Sequence, residues 1–460
     1  MKFKSHIFII ACLAIMLLPA VGMLFFPTTT SSENKAMAEA PVLMKDGAIN
    51  KKFFDDFDNW FNDHIAFRNQ MVYADAMIQT KIFQESSVSG VIKGTDGWLY
   101  YSSTLDDYLG SDVLTDRELF NLSHNLYVVQ SYMDERDITF VVMIPPNKNT
   151  LYGEHMPYYD NFIVSTDHSA ILLADYMPEN TIHYLDLFEL FGRTDEVLYF
   201  RQDSHWNNKG ALMVYNAMMD SMDIEHEDYS SIDPVMVLSS DGDLNKMLYS
   251  FYGPAEYDYD YQIPQNYTYV QGEDVESRWI VTENPDGSGT ILVFRDSFAN
   301  SLIPFVSNHF VTAAYSKALP NPLEKYIETY NPGYIVIEKV ERNISDYLTM
   351  PPVLTAPSAT VPDNCEEADT DSTVQVEACM YDVNYWAFSG TIDSGYLSSD
   401  TEIIVSIDGK PYMSYQTGED GWLLYLKKAD FESDTAHVEV FTVSGGQCSC
   451  VLSSDVVLAE

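Results

Sequence analysis

Short unbroken apolar runs, separated by longer stretches with an apolar residue at every third or fourth position, dominate the first three quarters of this chain. Phe140 to Ile144, Thr290 to Phe294 and Tyr334 to Glu338 have the continuous apolar character of strands covered on both faces. Leu119 to Arg136 and Gly210 to Met222 repeat their apolar residues with the helical period. This alternation predicts an α/β fold, a parallel sheet flanked by helices. Past residue 364 the period changes. Thr401 to Val405, Trp422 to Leu426 and His437 to Val443 are short alternating runs between turn residues, which predicts a β-sandwich. Residues 351–364, PPVLTAPSATVPDN, are rich in Pro, Ser, Thr and Ala and read as a linker between the two parts.

The amino end follows another pattern. About 20 mostly apolar residues, Ile7 to Phe26, are enough to span a bilayer, and Lys2 and Lys4 before them favour an N-terminus that stays inside. The small-residue sequence Ala36-Met37-Ala38 lies well beyond this run, so an uncleaved anchor is preferred to a removed signal peptide. Either way the rest of the chain is exported. The expected division is thus an anchor or signal segment with a stalk (1–32), an α/β domain (33–350), the linker (351–364) and a β-sandwich accessory domain (365–460). The localisation that follows is membrane-anchored on the extracytoplasmic side, or secreted if the segment is cut.

Composition supports folded, exported modules. The chain has 46% hydrophobic residues, and 25 basic against 69 acidic residues give a net charge of −44. Such a charge argues against nucleic acid and anionic lipid surfaces as partners, and it favours a neutral or cationic glycan over an acidic one. Cys12 falls in the apolar segment, whereas Cys365, Cys379, Cys448 and Cys450 cluster in the last hundred residues. In an exported module these four suggest two disulfides with three connectivities. A zinc site is the competing reading, and Cys448-Ser449-Cys450 is too closely spaced for it. No metal or cofactor is expected.

The residues that carry candidate chemistry are Asp203-Ser204-His205-Trp206 and, 92 residues after His205, Ser297 in Phe294-Arg295-Asp296-Ser297-Phe298. A serine hydroxyl becomes a nucleophile when an imidazole takes its proton and a carboxylate orients the imidazole. Residues i and i+2 of an extended segment point to one side, so Asp203 and His205 share a face. Ser297 follows a strand and opens a helical segment, Phe298 to Val306, at the carboxyl end of the sheet, where α/β proteins keep their sites. Asp-Ser after a strand is also a common helix start, and Asp296 is assigned that role. The Ser297 N–H is the natural first oxyanion donor. Asn147 and Lys148, at the end of the Phe140 strand, are candidates to line the cleft, although a turn and a surface cation explain them equally well. Trp206, Arg295 and Tyr259 complete the candidate substrate or oxyanion residues. Tyr259 lies in Glu256 to Tyr261, an acidic and aromatic stretch of period two that suggests either a glycan-facing edge strand or a half-buried one. In the last part, Tyr385, Trp386 and Trp422 are the aromatic candidates for sugar binding, with core packing the commoner role.

Seven blocks, in order, resemble the alginate O-acetyltransferase (AlgX/AlgJ-type) family and its DHHW-type relatives, which carry an SGNH hydrolase-like domain. They are Glu33 to Pro41, Phe53 to Arg68, Gly94 to Tyr100, Ile144 to Lys148, Asp203 to Ala211, Phe294 to Phe298 and Glu341 to Asn343. The resemblance spans roughly residues 33 to 345. It implies that Asp203, His205 and Ser297 are a catalytic triad. It further implies transfer of an acetyl group, through an acetyl-serine, from a donor supplied by a membrane acyltransferase to a polysaccharide acceptor. A carbohydrate acetylesterase, with water as acceptor, is the alternative. Arg295 stands where many relatives have glycine, which keeps a third reading open: a catalytically silent scaffold that binds glycan or assembly partners.

Overall fold

The structure, a computed structural model, describes residues 2–30, 37–45, 47–177, 181–239, 242–367 and 375–458. Glu33 to Ala36 of the first family-like block, and Ser31 and Ser32 of the stalk, lie outside the described residues.

Seven strands form the central sheet. In chain order they are β1 (Thr139–Met143), β2 (Tyr184–Leu185), β3 (Thr268–Gln271), β4 (Trp279–Glu283), β5 (Thr290–Phe294), β6 (Thr312–Ser316) and β7 (Tyr334–Glu338). Their spatial order is 2-1-7-5-6-4-3. The first five run parallel, as their apolar runs predict, and β4 and β3 add antiparallel to the edge at β6. The sheet is therefore mixed rather than purely parallel. The antiparallel edge is also the most polar part of the sheet. Thr268, Val270 and Gln271 of β3 are exposed and Tyr269 is half-buried, and an antiparallel pair tolerates contact with water better than a parallel one.

Helix α1 (Asp116–Asp134) covers one face of this sheet and helix α2 (Asn208–Ser221) the other. Thr115 caps α1 through a capping box with Glu118, and Leu119, Leu122, Leu126, Val129 and Met133 form the stripe that packs on Phe140, Val142, Ile335 and Ile337. On the opposite face Leu212, Tyr215, Met218 and Met219 of α2 meet Val141, Met143, Ile291, Val293 and Val336. Strand residues thus alternate between two apolar clusters, which is why their sequence runs show no polar face.

The C-terminal part holds a five-stranded and a four-stranded sheet that share one apolar cluster including Phe388, Trp422, Ile403, Val405, Val438, Val440 and Val451. All pairings are antiparallel except Cys365–Glu367 with Gln447–Val457. Tyr385, Trp386 and Trp422 are 6%, 9% and 1% exposed, so all three are core residues.

One disulfide forms, Cys365–Cys448. The second expected pair does not form. Cys379 is on the other sheet, opposite Ala387, and Cys450 faces Glu367 across its own strand pair.

Residues 351–364 connect the two parts without being a free spacer. Pro351 to Leu354 are buried, and Ala356, Ala359 and Met413 make backbone bonds that stitch the segment to the C-terminal sheets. Proline supplies rigidity here and few donors to satisfy. The contact around it is polar and buried. Asn125 of α1 donates to the carbonyls of Tyr347 and Gln416 and accepts from the Gln416 N–H. Glu324 accepts from Thr355, Tyr385 and Lys427. Stranding any one of these buried groups costs about 1–3 kcal/mol.

At the amino end, residues 2–22 form a helix whose 18-residue stretch Ser5–Gly22 has a mean hydropathy of 2.2 and is 6% buried. Length and composition suit a membrane span.

Candidate functional site

The end of β5 sets the nucleophile candidate. After Phe294 the chain leaves the sheet, and past Arg295 and Asp296 Ser297 enters a 3-10 turn, Phe298–Leu302, that leads into the helix Ile303–His309. Asp296 holds the corner: its carboxylate accepts from the N–H groups of Phe298 (2.8 Å) and Val340 (2.9 Å), while its own N–H donates to buried Glu338 (2.9 Å). This is the helix-start role assigned from sequence, with a tie to the end of β7 added.

Asp203 and His205 come from a loop before α2. Nδ1 of His205 is 2.6 Å from Oδ1 of Asp203, and Nε2 is 2.8 Å from Oγ of Ser297. The His205 N–H donates to the same Asp203 oxygen at 2.9 Å, which is the local reason an Asp-x-His spacing orients the ring. These partners fix the tautomer: Nδ1–H faces the Asp203 carboxylate, with the Ser204 hydroxyl a longer contact at 3.4 Å, and Nε2 accepts from Ser297. Burial by itself would push the Asp203 carboxyl up, but the charge and hydrogen bonds of His205 outweigh it and hold the group at about 2. Burial likewise favours neutral His205, and Asp203 overrides it so that the imidazole sits above its ordinary value. Phe298 packs against the imidazole, with ring centroids 4.7 Å apart.

Asp243 is a carboxylate that sequence reasoning missed. Its N–H donates to the second oxygen of Asp203 (2.9 Å), and its carboxylate accepts from the N–H (2.8 Å) and hydroxyl (2.5 Å) of Ser204. Burial and then the neighbouring Asp203 charge raise its affinity for a proton. Nothing in its local sequence distinguishes it from any acidic first-turn residue. Asp203, His205 and Asp243 place ligand-type atoms within 4.8 Å of one another. The same atoms are engaged in the hydrogen bonds just given.

The three residues open on a cleft of about 1310 Å³. Trp206 lines it and donates its indole N–H to Ser301 at 2.6 Å. Arg342, from the last family-like block, also lines it, over the rings of Phe298 (5.8 Å) and Tyr101 (5.5 Å), with Nη1 donating to Asn147 at 3.3 Å. Sequence reasoning quoted Arg342 without giving it a role. The Ser297 N–H makes no hydrogen bond to another described residue.

Four other candidates fall elsewhere. Asn147 is buried, donating to Asp107 (2.7 Å) and to Glu341 through its N–H (2.7 Å). Lys148 is buried and donates to three backbone carbonyls. Arg295 is 5% exposed and stands behind the cleft wall, donating to Asn300, which lines the cleft, and to the carbonyls of Val275, Ser277 and Asp296. Tyr259 lies under Lys209, 5.7 Å from its ring centre. Long polar side chains such as those of Lys148 and Arg295 reach structural partners that a linear sequence hides.

Residues 91–285 match the family model described as SGNH hydrolase-like domain, acetyltransferase AlgX. Over that span the chain is similar to that family. The matched span contains Asp203, His205 and Asp243 and stops before Ser297. Among solved structures, Bacillus cereus PatB1 with a sulfonyl adduct is 17% identical, covering 55% of this chain and 94% of that one with a TM-score of 0.43. The O-acetyltransferase domain of Pseudomonas putida AlgJ is 18% identical over 55% and 92%, TM-score 0.35. Pseudomonas aeruginosa AlgX is 13% identical over 75% and 88%, TM-score 0.36. No curated protein matches the chain.

Proposed function

We propose that this protein is an extracytoplasmic O-acetyltransferase that modifies a polysaccharide through an acetyl-serine at Ser297. The observation that carries this reading is the continuous contact from Asp203 through His205 to Ser297, with hydrogen-bond distances of 2.6 and 2.8 Å and a cleft on the serine side. In this reading Nε2 of His205 takes the Ser297 proton as Oγ attacks the acetyl carbonyl. Asp203 stabilises the imidazolium, and the imidazolium then protonates the leaving group. In the second half His205 deprotonates a sugar hydroxyl, which takes the acetyl group and frees the serine. The uncommitted Ser297 N–H suits the developing oxyanion. The N-terminal helix serves as the anchor, a membrane acyltransferase supplies the donor, and the acidic exterior favours a neutral or cationic acceptor. The match of residues 91–285 to an acetyltransferase family agrees with this chemistry.

A carbohydrate acetylesterase is the second reading, favoured by the 22% exposure of the His205 side chain, which leaves water a path to the acyl-enzyme. Intact-protein mass spectrometry of residues 33–460 with p-nitrophenyl acetate separates these from a silent scaffold. An acetyl adduct or turnover is expected in the native sequence and absent in Ser297→Ala and His205→Ala. Adding candidate glycans distinguishes transfer from hydrolysis, and identical behaviour of native and variant proteins rejects both enzyme readings.

A further inference from the structure

The loop that presents the acid–base pair is held by one buried ammonium. Nζ of Lys148 donates to the carbonyls of Phe200 (3.1 Å), Arg201 (3.0 Å) and Asp203 (2.6 Å). An ammonium has three N–H donors and no acceptor, so these three carbonyls satisfy it fully. Rings from the hairpin Val91–Lys93 and Leu99–Tyr101 cover it: Nζ is 5.1 Å from the Tyr100 ring centre and 5.6 Å from that of Trp98. The opposite side of the same loop is held by a carboxylate. Glu256 accepts from the N–H groups of Arg201 (2.9 Å) and Gln202 (3.0 Å). Leu99 and Asn245 complete the cage through the carbonyls of Arg201 and Gln202. Such convergence of carbonyls is unfavourable without a cation at its centre, because their dipoles repel one another.

We propose that Lys148 is a positioning residue: it fixes the 200–203 backbone so that Asp203 meets His205 in line with Ser297, and Glu256 braces the loop from the other side. The proposal rests on the acyl-serine reading for its kinetic consequence and stands apart from it for its structural one. A neutral or shorter side chain at 148 releases three carbonyls, the loop relaxes, and the Asp203–His205 contact loosens. An error on the order of 1 Å in such a geometry can cost about 10²-fold in rate.

The test uses residues 33–460 with Lys148→Met, Lys148→Arg and Glu256→Gln. Two quantities are followed: the rate at which a sulfonyl fluoride modifies Ser297, and the far-downfield proton resonance of the His205 Nδ1–H, assigned by its loss in His205→Gln. The expected result is a fall of about 10- to 100-fold in Ser297 modification for Lys148→Met, with the resonance broadened or lost. Lys148→Arg restores part of both, since a cation remains. Glu256→Gln, which keeps an acceptor and leaves no buried charge unpaired, gives a smaller loss of the same kind and carries the test should Lys148→Met fail to fold. Modification within twofold of native, with an unchanged resonance, in every variant that folds overturns the proposal. Absence of Ser297 modification in the native protein counts against the acyl-serine reading alone, because the resonance still reports the positioning.

Discussion

His205 carries the sharpest expectation at the scale of single residues. Its imidazole must be neutral to take a proton, yet Asp203 holds it above the ordinary histidine value, while Asp203 itself stays ionised. Acylation of Ser297 should therefore rise with pH through a midpoint above about 6.5. In Asp203→Asn the midpoint should move down, since the stabilising charge is gone, and the plateau should drop by a factor on the order of 10⁴. p-Nitrophenyl acetate kinetics from pH 5 to 9 measure both; a native midpoint at or below 6.5 contradicts the assignment. Asp107 gives an expectation about stability. Burial first, then the charges of Glu341 and Asp112, push its carboxyl up to about 7. With an ordinary value near 3.9 in the unfolded chain, the native state binds more protons between about pH 4 and 7. By linkage, stability then falls as pH rises through that window. Asp107→Asn removes this part of the slope, so the gain in urea midpoint over the native protein should be larger at pH 8 than at pH 5. Equal differences at the two pH values would show that Asp107 titrates normally.

Among the elements, helix α2 and its cap decide how the histidine loop ends. Asn207 accepts from the N–H groups of Lys209 and Gly210 at 3.0 Å each and donates to the Val197 carbonyl at 3.0 Å. A Cβ at Gly210 would lie 2.6 Å from the Leu198 carbonyl oxygen, so a small residue is required where the helix start meets that strand-like turn. Asn207→Ala should lower stability by about 1–2 kcal/mol, read from urea denaturation, and a loss under 0.5 kcal/mol would mean that water replaces the cap. These elements were legible for different reasons. β5 and β7 have the predicted limits because both faces are buried and the apolar run equals the strand. α1 and α2 begin two or three residues earlier than their periodicity suggests, since Thr115 and Asn207 start them with polar caps. The Asp203–His205–Ser297 contact was readable because two of its members are separated by a single residue and the third follows a strand. The burial of Lys148 and Arg295 was not readable for the converse reason: it depends on carbonyls 18 to 55 residues away, which no local pattern records. The 351–364 segment likewise has the composition of a linker, while its packing is set by Glu324 and the C-terminal sheets.

For the whole molecule, the contact between its two parts and its charge both make claims. Tyr385, Tyr415 and Tyr425 of the C-terminal sheets belong to the same apolar cluster as Leu126 and Tyr132 of α1, and Asn125 and Glu324 find their partners across that contact. A chain ending at Met350 would bare this cluster together with its unpaired polar groups. It should be insoluble or unfold at a markedly lower temperature than residues 33–460, as soluble yield and thermal scans would reveal; an equal melting temperature would make the C-terminal part an independent appendage. Charge acts over a longer range. Only 25 basic residues face 69 acidic ones, so most carboxylates lack a cationic partner, and repulsion among them opposes the compact state. The ion pair of Lys427 with Glu324 at 2.8 Å crosses this contact and involves a carboxylate whose side chain is 4% exposed, so salt weakens it less than a fully exposed pair. Screening should therefore relieve repulsion more than it weakens ion pairs. As the screening length shrinks from about 30 Å at 0.01 M to about 10 Å at 0.1 M salt, the melting temperature should rise. The same field acts on an acceptor: a cationic glycan should bind more weakly as salt is added, whereas a neutral one should be indifferent. Calorimetry and glycan binding across that salt range test both effects. A melting temperature that falls with salt would mean that local ion pairs, and not the net charge, set the electrostatics of this protein.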